Sequence, residues 1–138
     1  MSAMKMLMPT LMLVLFGATM VLAEFVEKRY VASIDEDGVQ RVEMEGGEYY
    51  FDPNVVVVKV NVPVELSIRD TGGVAPHDIV LHAPEAGIDF AVDYGREPVT
   101  IRFTPTRVGE YEFDCSKRFL FFKSHRDRGM HGILKVVE

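Results

Sequence analysis

Residues 109–115 read Gly109-Glu110-Tyr111-Glu112-Phe113-Asp114-Cys115, and this stretch decides the fold class. Acidic side chains alternate with aromatic ones and end on a thiol, the period-two signature of a strand with one face in a core and one in water. Tyr111, Phe113 and Cys115 share the inward face, and Glu110, Glu112 and Asp114 share the outward one. Cys115 therefore closes the strand pointing inward.

Similar short runs recur on both sides of this segment, over 42–45, 55–60, 64–69, 77–81, 99–104 and 133–137. Turn residues separate them: Gly46-Gly47, Asp52-Pro53-Asn54, Asn61-Val62-Pro63, Gly72-Gly73, Pro105 to Gly109, and Gly129 with Gly132. No stretch beyond residue 24 carries helical periodicity. The pattern predicts an all-β domain, a Greek-key β-sandwich of about seven to eight strands, with an extra edge strand near 29–33 and an acidic turn at Asp35-Glu36-Asp37-Gly38. Within the run starting at His77, His77 shares a face with Ile79 and Leu81, whereas His82 falls on the other with Asp78 and Val80. Only His77 is aimed at the core. Tyr49, Tyr50, Phe51 and Phe103 read as core residues.

Upstream, residues 6–23 form an uncharged apolar run preceded by Lys5 and ending in Val21-Leu22-Ala23. This is the form of a secretory leader cleaved before Glu24, so the expected organisation is a signal peptide over 1–23 and one domain over 24–138. An uncleaved N-terminal anchor is the alternative. Without the leader, two methionines remain of eight, Met44 and Met130, and 14 basic side chains face 21 acidic ones. An acidic chain is a poor match for nucleic acid, and no stable membrane insertion is expected once the leader is gone. The lone cysteine excludes an intrachain disulfide, a Cys-rich zinc module and a CxxC redox motif.

The chemistry-bearing residues cluster after Cys115. Nine residues separate it from His125, four more separate His125 from Met130, and the closing strand follows at once. One thiolate, the imidazoles of His77 and His125, and a weak axial thioether from Met130 are a soft donor set suited to a single copper ion. His131 competes with Met130 by adjacency. His82 reads as a surface residue.

The segment from residue 50 to 138 resembles the cupredoxin family. The resemblance is carried by Phe51, Pro53-Asn54 before Val55, Pro63-Val64-Glu65-Leu66, Pro76-His77-Asp78, Phe103-Thr104-Pro105, the 109–115 stretch, His125, and Gly129-Met130-His131-Gly132-Ile133-Leu134-Lys135-Val136. It implies that His77, Cys115, His125 and Met130 fill the four copper-ligand places of a mononuclear member. The copper domains of oxidase subunit II and nitrous oxide reductase are also similar, but they hold two coppers with two cysteines, and this chain has one. The arm between Cys115 and His125 is longer than in the mononuclear members.

That arm carries Phe119, Leu120, Phe121 and Phe122 among Lys117, Arg118, Lys123, Arg126 and Arg128. Two uses are open: the aromatics fold back as a local core over the metal, or an apolar patch ringed by cations docks an acidic redox partner. The expected function is an exported, periplasmic or otherwise extracytoplasmic one-electron carrier, not an enzyme, because protein donors occupy every ligand place. A protein that sequesters or delivers one copper ion is the alternative, and a metal-free structural module is a third reading.

Overall fold

Residues 25–138 are described by a computed structural model. The expected leader lies outside the described residues. Ten strands follow in order: β1 (Arg29–Val31), β2 (Gln40–Gly47), β3 (Tyr50–Asp52), β4 (Val55–Lys59), β5 (Val64–Asp70), β6 (His77–Ala83), β7 (Ile88–Tyr94), β8 (Val99–Phe103), β9 (Gly109–Asp114) and β10 (His131–Val137). They form a six-stranded sheet, β1-β4-β10-β9-β6-β7, and a four-stranded sheet, β3-β2-β5-β8. Among the described residues no helix is long and apolar enough to cross a membrane.

The β-sandwich expectation holds, with ten strands in place of seven or eight. The two unforeseen ones differ in kind. β3 is three residues long, too short to display a period, and stops before Pro53. β7 alternates as plainly as β9, with Ile88 and Tyr94 buried and Asp89 and Asp93 outward, and it covers β6 over its full length.

Alternation turns one side of each sheet into a shared core. Val42, Met44, Leu66, Ile68 and Ile101 from the smaller sheet bury with Val56, Ile79, Leu81, Phe113 and Leu134 from the larger. The buried Gln40 fastens the far end of the sandwich. Its Nε2 donates to the carbonyls of Lys59 (3.1 Å) and Val62 (3.2 Å), and its Oε1 accepts from the Lys59 N–H (2.7 Å). Every polar atom of that amide side chain is thus engaged, which removes the desolvation penalty of burying it.

Near the opposite end, Gly132 lets β10 approach its neighbours. A Cβ there would lie 2.5 Å from the Asn54 backbone oxygen and closer still to the Phe113 ring. Gly132→Ala is therefore expected to destabilise the domain by about 1–3 kcal/mol, the usual range for overpacking. A lower urea midpoint at unchanged slope is the check.

Candidate metal centre

Strand register brings distant residues to one end of the sandwich. His77 is the first residue of β6, Cys115 follows β9 directly, and Met130 immediately precedes β10, which pairs with β9 from His131↔Asp114 onward. His125 leads into a single 3-10 turn, Arg126–Arg128. All four side chains are buried.

One donor atom each from His77, Cys115 and His125 lies within 4.8 Å of the others. Donors about 2.0–2.3 Å from one ion sit no more than about 4.6 Å apart. The group is thus near the closure a single ion needs. Cys115 Sγ is 3.5 Å from His125 Nδ1, and the two imidazole centroids are 5.1 Å apart. Both ring nitrogens of His77 are buried with no hydrogen-bond partner, an arrangement that costs free energy unless another group engages them. The donor chemistry and the orphaned imidazole fit a soft metal ion.

Backbone hydrogen bonds hold the loop donors in place. Cys115 N–H donates to Met130 O (3.1 Å), Met130 N–H to His125 O (3.1 Å), and His125 N–H to Lys117 O (3.0 Å). The last bond closes a neck. Residues 118–124 are pinched off as an excursion, so the path from Cys115 to His125 is short in space although nine residues intervene. The long arm therefore leaves the donors together.

Asp78, buried beside His77, fastens the turn after Cys115. Its Oδ1 accepts the Ser116 N–H at 2.7 Å, and its Oδ2 accepts the Ser116 hydroxyl. Alternation alone placed Asp78 outward with His82; the structure turns it to this anchoring role because the outer face at this end is covered by the chain after β9. Sequence offered one signal, its place in Pro76-His77-Asp78.

Two tyrosines enclose the imidazoles. Tyr49 meets His125 edge-on with centroids 4.8 Å apart, and Tyr94, the last residue of β7, stacks on His77 at 6.1 Å. Arg128 lies 4.8 Å over the Tyr49 ring. Of the residues read as core, Phe51 is buried, whereas Tyr50 is exposed and its hydroxyl meets Thr71 Oγ1 at 2.6 Å. Tyr49 is a neighbour of the site, which periodicity could not reveal. Tyr94 was hidden with its strand.

Burial pushes the Cys115 thiol up to about 11. Burial also lowers both imidazoles, with the neighbouring His77 and Arg128 adding to the effect on His125. The metal-free site is consequently a neutral thiol beside two neutral imidazoles, and a metal that takes the thiolate releases its proton. For the histidines the unfolded chain binds more protons once the pH falls below about 6.5, so their contribution to stability is present above that value and lost beneath it. Metal-free protein should show a falling urea midpoint between pH 7.5 and 5, and metal loading should raise the midpoint but steepen that fall, because unfolding then also returns a proton to the Cys115 thiolate.

The competing residues lie elsewhere. His131 stacks on Phe25 at 5.3 Å and is not among the converging donors. His82 is exposed and pairs with Asp89 at 2.8 Å. The 119–122 aromatics are exposed, so they do not fold back as a local core. Phe119 and Phe122 instead wall an open cleft of about 570 Å³ whose other sides include Tyr49, Pro76, His125 and Arg128. Lys117 pairs with Asp93 (2.6 Å), Arg118 with Asp127 (4.0 Å), and Arg126 with Asp114 (3.0 Å) and Glu112. Lys123 and Arg128 have no ion pair among the described residues.

By sequence the chain matches no protein-family model and no curated relative. Solved structures do match its fold. The metal-binding domain of the Streptococcus pneumoniae D39 Cu(I)-exporting P-type ATPase CopA is 25% identical, with TM-score 0.60, over 82% of this chain and 99% of that one. Auracyanin from Roseiflexus castenholzii is 21% identical, TM-score 0.57, over 78% and 99%. The periplasmic domain of cytochrome oxidase subunit II from Bradyrhizobium japonicum is 18% identical, TM-score 0.54, over 71% and 83%. The fold is cupredoxin-like.

Proposed function

We propose that the protein binds one copper ion through His77, Cys115 and His125, with Met130 as a weak fourth ligand, and carries single electrons between extracytoplasmic partners. The convergence of one thiol and two imidazoles at the buried end of a cupredoxin-like sandwich carries this reading. Copper would supply a one-electron couple, and a Cys-His-His set with a distant thioether is the arrangement that electron-transfer sites use. The chain's own part is to hold the donors. Strand ends fix His77 and Cys115, the Lys117–His125 neck fixes the second imidazole, and Asp78 restrains the turn at Ser116. Donors held on a rigid frame change little between two oxidation states.

An exported location is supported by the leader-like run at 6–23, and one of the similar folds is itself described as a periplasmic domain. Protein side chains fill the ligand places, which favours carriage over catalysis on a substrate. A redox partner would meet the molecule at the end carrying Lys117, Arg118, Lys123, Arg126 and Arg128, where the cleft reaches His125.

Copper handling is the second reading, because the similar CopA domain is described with Cu(I) in an exporting ATPase. Voltammetry and metal transfer separate the two. A carrier gives a fast, reversible one-electron wave and retains its ion against a competing chelator; a delivery protein gives a sluggish wave and surrenders the ion. The second result would overturn the carrier proposal.

A further inference from the structure

We infer that the tip of the 118–124 excursion is a seat for an anionic lipid surface. Four consecutive large apolar residues are exposed there: Phe119 by 68%, Leu120 by 68%, Phe121 by 88% and Phe122 by 48%. Small soluble domains seldom leave such a run in water, and a contiguous exposed apolar patch marks an interaction site.

The tip has a defined shape. Phe122 N–H donates to Phe119 O at 3.0 Å, Leu120 takes the left-handed conformation (φ 50°), and the Phe122 ring stacks on Phe119 (5.9 Å) and on Phe121 (5.1 Å). The Lys117–His125 neck projects this turn from the domain. A convex apolar tip suits the yielding boundary between headgroups and acyl chains, where aromatic side chains lodge readily.

Charge selects the lipid. Lys123 adjoins the tip and Arg128 lines the cleft behind it, both without an ion pair among the described residues, whereas the remaining loop cations are matched by Asp93, Asp127, Glu112 and Asp114. The whole chain carries a formal charge of -6. An anionic surface therefore repels the acidic body and attracts this end, which orients the approach tip first.

Chain placement points the same way. Phe25, the first described residue, stacks on His131, one residue beyond Met130. The first described residue thus lies at the same end of the sandwich as the tip. A lipid surface met tip first faces this end of the domain. Seated so, the protein would present the cleft beside His125 to a membrane-embedded partner. The inference rests on the loop and on the charge of the chain, and stands independently of copper.

The chain contains no tryptophan, so one indole can report on the tip. The test uses full-length, metal-free Phe121→Trp with vesicles of phosphatidylglycerol or phosphatidylcholine, each with and without brominated acyl chains. On phosphatidylglycerol the emission should shift to the blue and be quenched by bromine at least twofold. Phosphatidylcholine, high salt or an added Lys123→Glu change should weaken that response several-fold. Phe119→Trp should repeat the result from the other side of the turn. An indole that keeps water-like emission on phosphatidylglycerol vesicles carrying the protein, or one shielded instead by soluble polyglutamate, overturns the inference.

Discussion

Cys115→Ser is expected to abolish the intense visible absorption of the Cu(II)-loaded protein. That absorption requires a thiolate bonded to copper, and Cys115 is the chain's only thiol. The substitution is nearly isosteric and leaves both imidazoles in place, so the fold should survive and some Cu(II) should remain on His77 and His125. Copper affinity should fall by more than the roughly 10–100-fold that loss of an outer-shell partner typically costs, because a direct bond is removed. Circular dichroism that matches the parent, together with a colourless copper form, is the predicted outcome. A coloured variant would mean that the absorption arises elsewhere.

Phe51→Ala should produce the largest loss of stability, about 3–5 kcal/mol, the range for emptying a large aromatic from a packed core. Phe51 sits on the short β3 and meets Phe113 of β9 edge-on, with centroids 5.3 Å apart. It therefore joins the two sheets directly beneath the strand that ends in Cys115. Against a typical domain stability of about 5–15 kcal/mol, this loss is severe. Urea denaturation should show a much lower midpoint, and a copper spectrum broadened relative to the parent should accompany it. An unfolding free energy within about 1 kcal/mol of the parent would show that the contact between the sheets is dispensable.

Most of this architecture was legible as alternation. The inward set Tyr111, Phe113, Cys115 and the orientation of His77 with Ile79 and Leu81 follow from parity alone, and both are found as expected. β3 escaped because three residues cannot show a period. β7 escaped although its pattern is clear, and Tyr94 was lost with it.

At the site, spacing along the chain left the geometry open. Nine residues between Cys115 and His125 allow the arm either to bulge outward or to loosen the site, and a backbone hydrogen bond from His125 to Lys117 shortens the path. No composition or periodicity argument shows such a bond, since it depends on where the chain returns. Asp78 illustrates the same limit. Parity assigns its side to solvent, yet the covering turn at Ser116 makes it an anchor. Tyr49 meets His125, and Arg128 lies over Tyr49, through contacts between residues far apart in sequence. Conversely, the exposure of the 119–122 side chains removes the local-core use of this arm, which composition alone could not do.

X-ray absorption at the copper edge of protein loaded with one equivalent tests the central claim most directly. The account predicts one ion per chain with one sulfur scatterer near about 2.1–2.3 Å and two imidazole nitrogens near about 2.0 Å, bond lengths of the kind such donors make to first-row metals. A copper shell of nitrogen and oxygen alone, with no short sulfur, would contradict it.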